Sequence, residues 1–103
     1  MSWTQWWGYN AASVSLNSDF YGVYELCDFN GEVVYIGSGK VKSKLLGHLE
    51  KKECPLARYY RLLIVGAEEY CKLKESETLQ EYIKGMGRLP LYNEKKTRFR
   101  EVD

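Results

Sequence analysis

The 103-residue sequence predicts one α+β domain, built on a small three-stranded mixed sheet that is flanked by helices. Two observations favour this class. A chain of this length has room for a single core, and its 45% hydrophobic residues are enough to form one. The apolar periodicity changes along the chain and gives the order helix, strand, strand, helix, strand, helix. The longest aliphatic run, Leu62 to Val65, is far shorter than the roughly 20 residues of a membrane span, so we expect no membrane segment.

Residues 1–20 are predicted to form a helix-and-loop extension of the domain. Trp3, Trp6 and Trp7 recur at the i, i+3, i+4 spacing of a helix, so we expect a short helix over residues 2–8, followed by a loop. The alternative is an aromatic patch that binds a protein partner or a second copy of the chain. No basic residue precedes residue 20, and the three cysteines form no C-x-x-C pair, which favours a cytoplasmic protein without a secretory signal.

A β-hairpin is the clearest local signal in the sequence. Two strand-like runs, residues 22–27 and 33–37, flank Asn30 and Gly31. The Asn-Gly pair is typical of a two-residue type I′ turn, in which both central residues need a positive φ. We therefore expect two antiparallel strands that are joined by this turn.

The turn decides which residues of the hairpin face each other. With a two-residue turn, Leu26 lies opposite Tyr35 and Tyr24 lies opposite Gly37, so the two tyrosines are diagonal neighbours on one face. A loop one residue longer on one side would move one of the tyrosines to the other face.

A helix with an apolar face and a basic edge is predicted directly after the hairpin. The apolar residues recur at four-residue steps, namely Val41, Leu45 and Leu49. The basic residues recur at the same step, namely Lys40, Lys44 and His48. Further along, we expect a third strand over residues 59–65, a second helix over residues 67–86, an extended exit over residues 89–93 and a charged tail over residues 94–103.

The distribution of charge says more than the net charge of +1. Residues 1–39 carry four acidic residues and no basic one, whereas residues 40–61 carry seven basic residues and two acidic ones. A second basic block follows in residues 84–103. The two blocks could meet as one phosphate-binding patch, or the surface charge could simply alternate by segment. The candidate nucleic-acid contacts are Lys40, Lys42, Lys51, Lys52, Arg58 and Arg61.

The hairpin and the segments around it resemble the GIY-YIG nuclease domain. The two halves of the motif are Gly22-Val23-Tyr24 and Tyr35-Ile36-Gly37, and the exit segment matches as Pro90-Leu91-Tyr92-Asn93. The resemblance covers residues 21–93. It implies a small mixed sheet flanked by helices and a metal-dependent endonuclease, a hydrolase that binds DNA and cleaves its phosphodiester bonds.

The resemblance also implies roles for single residues. Tyr24 would act as the general base or assist it, and Tyr35 would orient the attacking water or the phosphate. Asn93 would support the geometry near the scissile group. Because the pKa of a tyrosine lies near 10, Tyr24 needs the help of a cation or a metal-bound water. The structural alternative for both tyrosines is packing across the strands.

One glutamate of the second helix would hold the metal, Mg²⁺ or Mn²⁺. Distance from Pro90 favours Glu81, whereas the helical register favours Glu75, which lies beside the apolar face. We expect Glu75 to be the ligand and keep Glu77 and Glu81 as alternatives. A single carboxylate that leaves several water ligands in place suits Mg²⁺.

One departure from the family pattern concerns an arginine of the first helix. Lys44 stands at that position, four residues before His48, and residues 38–57 contain no arginine. Lysine supplies charge but not the planar, two-pronged contact of a guanidinium. Either Lys44 substitutes, or Arg58 or Arg61 reaches in, or the domain binds nucleic acid or a protein partner without cutting. His48 would be a general acid or base or a phosphate contact. The domain would recognise DNA structure, for example a branch, or act in an oligomer, or rely on a partner.

Overall fold

The structure, a computed structural model, describes residues 2–94 as an α+β domain on a four-stranded antiparallel sheet. The elements in chain order are β1 Trp7–Gly8, α1 Ala11–Ser15, β2 Tyr21–Cys27, β3 Val33–Lys40, α2 Val41–Lys51, β4 Tyr59–Ile64 and α3 Glu68–Met86. The strand order across the sheet is β1-β4-β2-β3. The α+β class, the three long strands and the two longer helices are therefore confirmed.

The prediction of a three-stranded mixed sheet is wrong in strand number and in direction. The crossover through α2 makes β4 run in the same direction as β3, but β4 inserts beside β2 on the other side of the hairpin. Every neighbouring pair is therefore antiparallel. The fourth strand, β1, pairs with the outer edge of β4.

The predicted N-terminal helix over residues 2–8 is also wrong. Trp7 pairs with Tyr60 as part of β1, and Trp3 forms an isolated bridge with Leu63. A seven-residue helix is marginal in water, whereas the edge of β4 offers unpaired backbone groups that an extended segment can satisfy. The short helix α1 then occupies part of the expected loop, because the Asn10 side chain accepts a hydrogen bond from its first turn.

The turn of the hairpin is one residue longer than predicted. The Asp28 carbonyl accepts from the Gly31 amide at 3.0 Å, and the Asp28 amide donates to the Glu32 carbonyl at 2.9 Å. Gly31 has a φ of 83°, whereas Asn30 keeps a negative φ, so this is not a type I′ turn. Oδ1 of Asp28 accepts from the amides of Asn30 and Glu32.

A β-bulge compensates for the longer turn. The pairing of β2 with β3 shifts between Leu26 and Cys27, which restores the register beyond the turn. Leu26 therefore lies opposite Tyr35 and Tyr24 lies opposite Gly37, as predicted, and both tyrosines pack in the same core cluster.

The sheet separates two apolar clusters. The face covered by α1, α2 and the C-terminal segment, here called the α2 face, holds the larger cluster around Tyr24, Leu26, Tyr60 and Leu62. The other face, here called the α3 face, holds Val23, Ile36 and Leu63 beneath Leu79 and Tyr82 of α3. No helix within residues 2–94 is long and apolar enough to span a bilayer.

The helix α2 begins at an acidic cap that sequence reasoning missed. Asp19 accepts hydrogen bonds from the Ser43 amide at 3.1 Å and from the Ser43 hydroxyl at 2.5 Å. These bonds, with the nearby Lys40, hold the pKa of Asp19 below its usual value. Because a carboxylate already occupies this helix N-terminus, the turn from Gly39 into α2 is closed to a phosphate.

The exit segment is not extended as predicted. Residues 91–94 form one helical turn, and Tyr92 is buried in the cluster of the α2 face, where its hydroxyl accepts from the Leu56 amide at 3.0 Å. Of the predicted tail, residues 95–103 lie outside the described residues.

Candidate active site

Three polar side chains form a hydrogen-bonded chain at the α2 face. The Tyr24 hydroxyl lies 2.7 Å from Nε2 of His48, and Nδ1 of His48 lies 2.7 Å from Oε1 of Glu53. An ionised carboxylate can only accept a hydrogen bond, so Nδ1 carries the proton in this pair. In the neutral ring Nε2 is then the acceptor, and the Tyr24 hydroxyl donates to it.

Glu53 is the member of this chain that sequence reasoning missed. It follows His48 by five residues, a spacing that does not bring two side chains together on a helix. The helix α2 ends at Lys51, and Lys52 adopts a left-handed conformation with a φ of 54°. This reversal places the Glu53 amide 3.1 Å from the His48 carbonyl and returns the carboxylate to the ring. Because the C-cap residue is a lysine and not a glycine or asparagine, the sequence gives no signal of this reversal.

Burial and nearby negative charge keep Tyr24 neutral. Burial raises the pKa of Tyr24 well above its usual value, and the neighbouring Tyr35 and Glu75 raise it further. The side chain is only 1% exposed. Tyr24 is therefore a phenol that donates its proton to His48, and it does not act as a phenolate base by itself.

Tyr35 and Gly37 complete the motif around the Tyr24 hydroxyl. The Tyr35 ring centroid lies 5.2 Å from that of His48 and 6.1 Å from that of Tyr24. A Cβ atom at Gly37 would come within 2.4 Å of the Tyr24 hydroxyl and 2.9 Å of the Tyr35 ring. A glycine at this position is what allows the two tyrosines to meet over the strand.

The first glycine of the motif has a structural role. A Cβ atom at Gly22 would lie 2.4 Å from the backbone carbonyl oxygen of Leu63, which cannot move away without disturbing β4. Gly22 therefore serves the packing of the sheet, whereas Gly37 serves the arrangement of the tyrosines.

Lys44 lies at the edge of this group. Its Cε atom passes 3.1 Å from the position that a Cβ atom of Gly39 would occupy, so the lysine runs along the end of β3. It stands one turn before His48 on the same edge of α2. The structure brings together Tyr24, Tyr35 and His48, and Lys44 lies one helical turn before His48.

Glu75 is the predicted metal ligand whose charge acts on this group. Its charge raises the pKa of Tyr24, its side chain is 20% exposed, and its carboxylate lies 3.7 Å from Nζ of Lys72. Glu77 is exposed and pairs with Lys74 at 3.1 Å. The charge of Glu81 acts instead on Glu25, on the α3 face.

The Asn93 side chain forms hydrogen bonds with the backbone of the motif. Its Oδ1 accepts from the Ile36 amide and its Nδ2 donates to the Ile36 carbonyl, both at 2.9 Å. These bonds cover the outer edge of β3 between Tyr35 and Gly37. Asn93 thus holds the strand that carries the second half of the motif.

Arg61 does not reach the group around Tyr24, so it does not stand in for the family arginine, and its contact with nucleic acid stays a prediction. Side chains alternate along a strand, and Arg61 faces Glu25 on the α3 face, opposite to Tyr24. Its Nε donates to Oε1 of Glu25 at 2.6 Å. The guanidinium carbon lies over two indole rings, 4.6 Å from the centroid of Trp3 and 4.8 Å from that of Trp6.

The third tryptophan packs on the other side of the sheet, where the Trp7 ring meets the Tyr60 ring edge-on at 5.7 Å. All three tryptophans therefore make contacts within the domain. Binding of a partner or a second copy through this aromatic segment stays a prediction.

The remaining basic candidates lie near the start of α2, near its end and just before β4. Lys40 lies over the Tyr21 ring at 5.7 Å, and Arg58 donates to the carbonyls of Pro55 and Ala57. Lys52 forms the cap of α2. Lys42 and Lys51 lie on different edges of α2, and Lys51 shares the edge of Lys44 and His48. Within residues 2–94, no three His, Cys, Asp or Glu side chains are grouped so that they could hold a metal.

Comparison with known families places the domain in one of them. Residues 2–78 match the family described as a domain of unknown function, DUF7508. The chain belongs to this family. Neither the curated proteins nor the solved structures contain a match to this DUF7508 member. The matched region includes β1 together with Tyr24, His48 and Glu75, and it ends before Asn93.

Proposed function

We propose that this DUF7508 protein is a metal-dependent endonuclease that hydrolyses DNA phosphodiester bonds through a GIY-YIG-type site. The observation that carries the proposal is the hydrogen-bonded chain Tyr24–His48–Glu53, with Lys44 and Glu75 beside it. A proton-accepting chain next to one cation and one carboxylate is the set of groups that phosphodiester hydrolysis requires.

The hydrogen-bonded chain Tyr24–His48–Glu53 provides a path for the proton of the attacking water. The water gives a proton to the Tyr24 oxygen while the phenol proton passes to Nε2 of His48, so Tyr24 stays neutral throughout. Glu53 then stabilises the imidazolium through Nδ1, as a carboxylate does for a histidine base. The water oxygen bonds to phosphorus, the P–O bond to the leaving oxygen breaks, and solvent protonates that oxygen.

Lys44 supplies positive charge to the phosphate. Its ammonium is a point charge and cannot make the two-pronged contact of an arginine. Tyr35, with its ring against His48, orients the phosphate or the water over Gly37. We expect a Lys44→Arg variant to be at least as active as the wild type, because the stem already runs along Gly39.

Glu75 fits a hard divalent cation, since it is one partly buried carboxylate that leaves most coordination positions to water. A bound Mg²⁺ or Mn²⁺ would neutralise charge on the non-bridging oxygens. The distant position of Glu81 and the exposed ion pair of Glu77 make both glutamates poorer candidates.

The burial of Tyr24 favours a second candidate function. With 1% of its side chain exposed and with no arginine in residues 38–57, the domain would bind nucleic acid without cutting it. In that case the tyrosines and His48 would be a core network that stabilises the hairpin against α2.

A nicking assay separates the two functions. We would incubate the protein with supercoiled, branched and single-stranded DNA in the presence of Mg²⁺ or Mn²⁺. The nuclease predicts metal-dependent cuts that fall at least about 100-fold in Glu75→Ala, and also fall in Tyr35→Phe. Glu77→Ala, two residues away on the same helix, is the matched control and should cut like the wild type.

Three other outcomes would change the assignment. Equal losses in Glu75→Ala and Glu77→Ala would contradict Glu75 as the ligand. Unchanged cutting by both Glu75→Ala and Tyr35→Phe would trace the nuclease activity to another site or a contaminant. Folded protein that binds DNA but cuts none of the three substrates would support the non-cutting function.

A further inference from the structure

One edge of α2 carries a lysine on each side of the active-site histidine. Lys44, His48 and Lys51 follow at i, i+4 and i+7, so at 3.6 residues per turn they share one edge of the helix. Both lysines are exposed. At a rise of 1.5 Å per residue, the two lysine positions are about 10.5 Å apart along the axis, with His48 between them.

We infer that the sugar-phosphate backbone of one nucleic-acid strand lies along this edge of α2, with Lys44 and Lys51 on phosphates at either side of the Tyr24–His48 chain. The inference rests on the proposed function and specifies its substrate as a polymer. A ligand with a single phosphate is too small to contact both lysines, because they lie on either side of His48 along the helix. A strand of B-form DNA advances about 3.4 Å per nucleotide along its axis, so the two lysines span about three nucleotides.

The same helix contains a control for the proposed path of the strand along Lys44, His48 and Lys51, here called the track. Lys42 lies on the other edge of α2, toward the Asp19 cap, about 160° around the helix from Lys44 and about 180° from Lys51. Removing Lys42 or Lys51 makes the same change in net charge. A different effect on binding would therefore report the position of the charge.

Binding would be measured by fluorescence anisotropy with labelled single-stranded and duplex oligonucleotides over a series of salt concentrations, without divalent metal. We expect Lys51→Ala to reduce the slope of log Kd against log salt by about 0.9 for duplex or about 0.7 for single strands. Lys42→Ala should leave the slope unchanged. A loss confined to one of the two forms still supports the track and identifies the form of the strand.

Equal effects of Lys42→Ala and Lys51→Ala, or no effect of Lys51→Ala on either form, would overturn the inference. Hydrolysis of bis(p-nitrophenyl) phosphate, which has no flanking phosphates, tests the proposed function separately. We expect the wild type to hydrolyse this small diester and Glu75→Ala not to hydrolyse it. If the small diester is cleaved normally but the salt slopes do not change, the track fails and the nuclease stands.

Discussion

Tyr24 and Glu25 are neighbours on β2, and each begins a buried polar chain on a different face of the sheet. On the α2 face, Tyr24 donates to His48, and His48 is held by Glu53, whose side chain is 49% exposed. On the α3 face, Glu25 binds Arg61, whose guanidinium packs on two indole rings.

The comparison teaches that burial alone does not indicate a functional polar group. Tyr24, His48 and Glu53 can each give up or accept a proton, and the chain runs from the core to the surface. A guanidinium group is a hydrogen-bond donor only, so the pair of Arg61 with Glu25 offers no path for a proton. The first chain suits catalysis, and the second suits the attachment of the N-terminal segment.

The largest effect is expected when the chain on the α2 face is broken. Tyr24→Phe removes the hydroxyl through which the proton reaches His48, so we expect the cleavage rate to fall about 100-fold or more. Stability should fall by only about 1 kcal/mol, because a single hydrogen bond is lost and the ring stays in place. The rate would be measured by nicking and the stability by urea unfolding.

Glu53→Gln is the matched test of the same chain. The amide can still hold Nδ1 but cannot stabilise an imidazolium, so we expect a smaller loss of rate and a changed pH–rate profile. A large loss of stability with Tyr24→Phe, together with wild-type activity per folded molecule, would show that the chain is structural.

The opposite pattern is expected on the α3 face. Arg61→Ala leaves the Glu25 carboxylate buried without its partner, which costs about 3–5 kcal/mol for a fully buried pair. Because the Arg61 side chain is 31% exposed, we expect about 2–3 kcal/mol here. Urea unfolding would show the loss, and cleavage per folded molecule should stay unchanged.

Arg58→Ala is the control for this variant, because Arg58 is exposed and bonds to local carbonyls. It should cost less than about 1 kcal/mol. Equal losses for the two arginines, or a specific loss of cleavage in Arg61→Ala, would contradict the division of roles between the faces.

The local sequence was sufficient to predict the parts of the site that depend on neighbours along the chain. The register of the hairpin places Tyr24 and Tyr35 together, and the four-residue step places Lys44 beside His48. The predicted register is correct although the predicted turn type is wrong, because the bulge at Leu26 offsets the longer loop.

The parts that could not be predicted depend on contacts between distant segments. The face of Arg61 follows from the pairing of β4 with β2, and β1 forms because β4 has an open edge. Glu53 reaches His48 through a left-handed residue, Lys52, which carries no glycine or asparagine signal. The pairing of distant strands and the backbone reversal at Lys52 therefore determine the features that local periodicity could not predict.

The smallest expected effect on stability concerns two carboxylates, Asp19 and Glu25, whose pKa values are shifted in opposite directions. Hydrogen bonds from Ser43 lower the pKa of Asp19, so its stabilising contribution is present at neutral pH and is lost as the pH falls through its folded-state pKa, below 3.8. Burial raises the pKa of Glu25, so its contribution is present at acid pH and is lost as the pH rises through its folded-state pKa, above 4.5.

Asp19→Ala should therefore cost about 0.5–1 kcal/mol at pH 7, the value of a solvent-screened helix cap, and almost nothing at the acid limit. Urea unfolding across a pH series measures this difference. Asp19→Asn is the control, because an amide can still cap α2 but does not titrate, so it should keep most of the stability at neutral pH. A cost of Asp19→Ala that stays constant from neutral to acid pH would mean that packing, and not the ionised carboxylate, secures the start of α2, and that the ionisation of Asp19 contributes little to it.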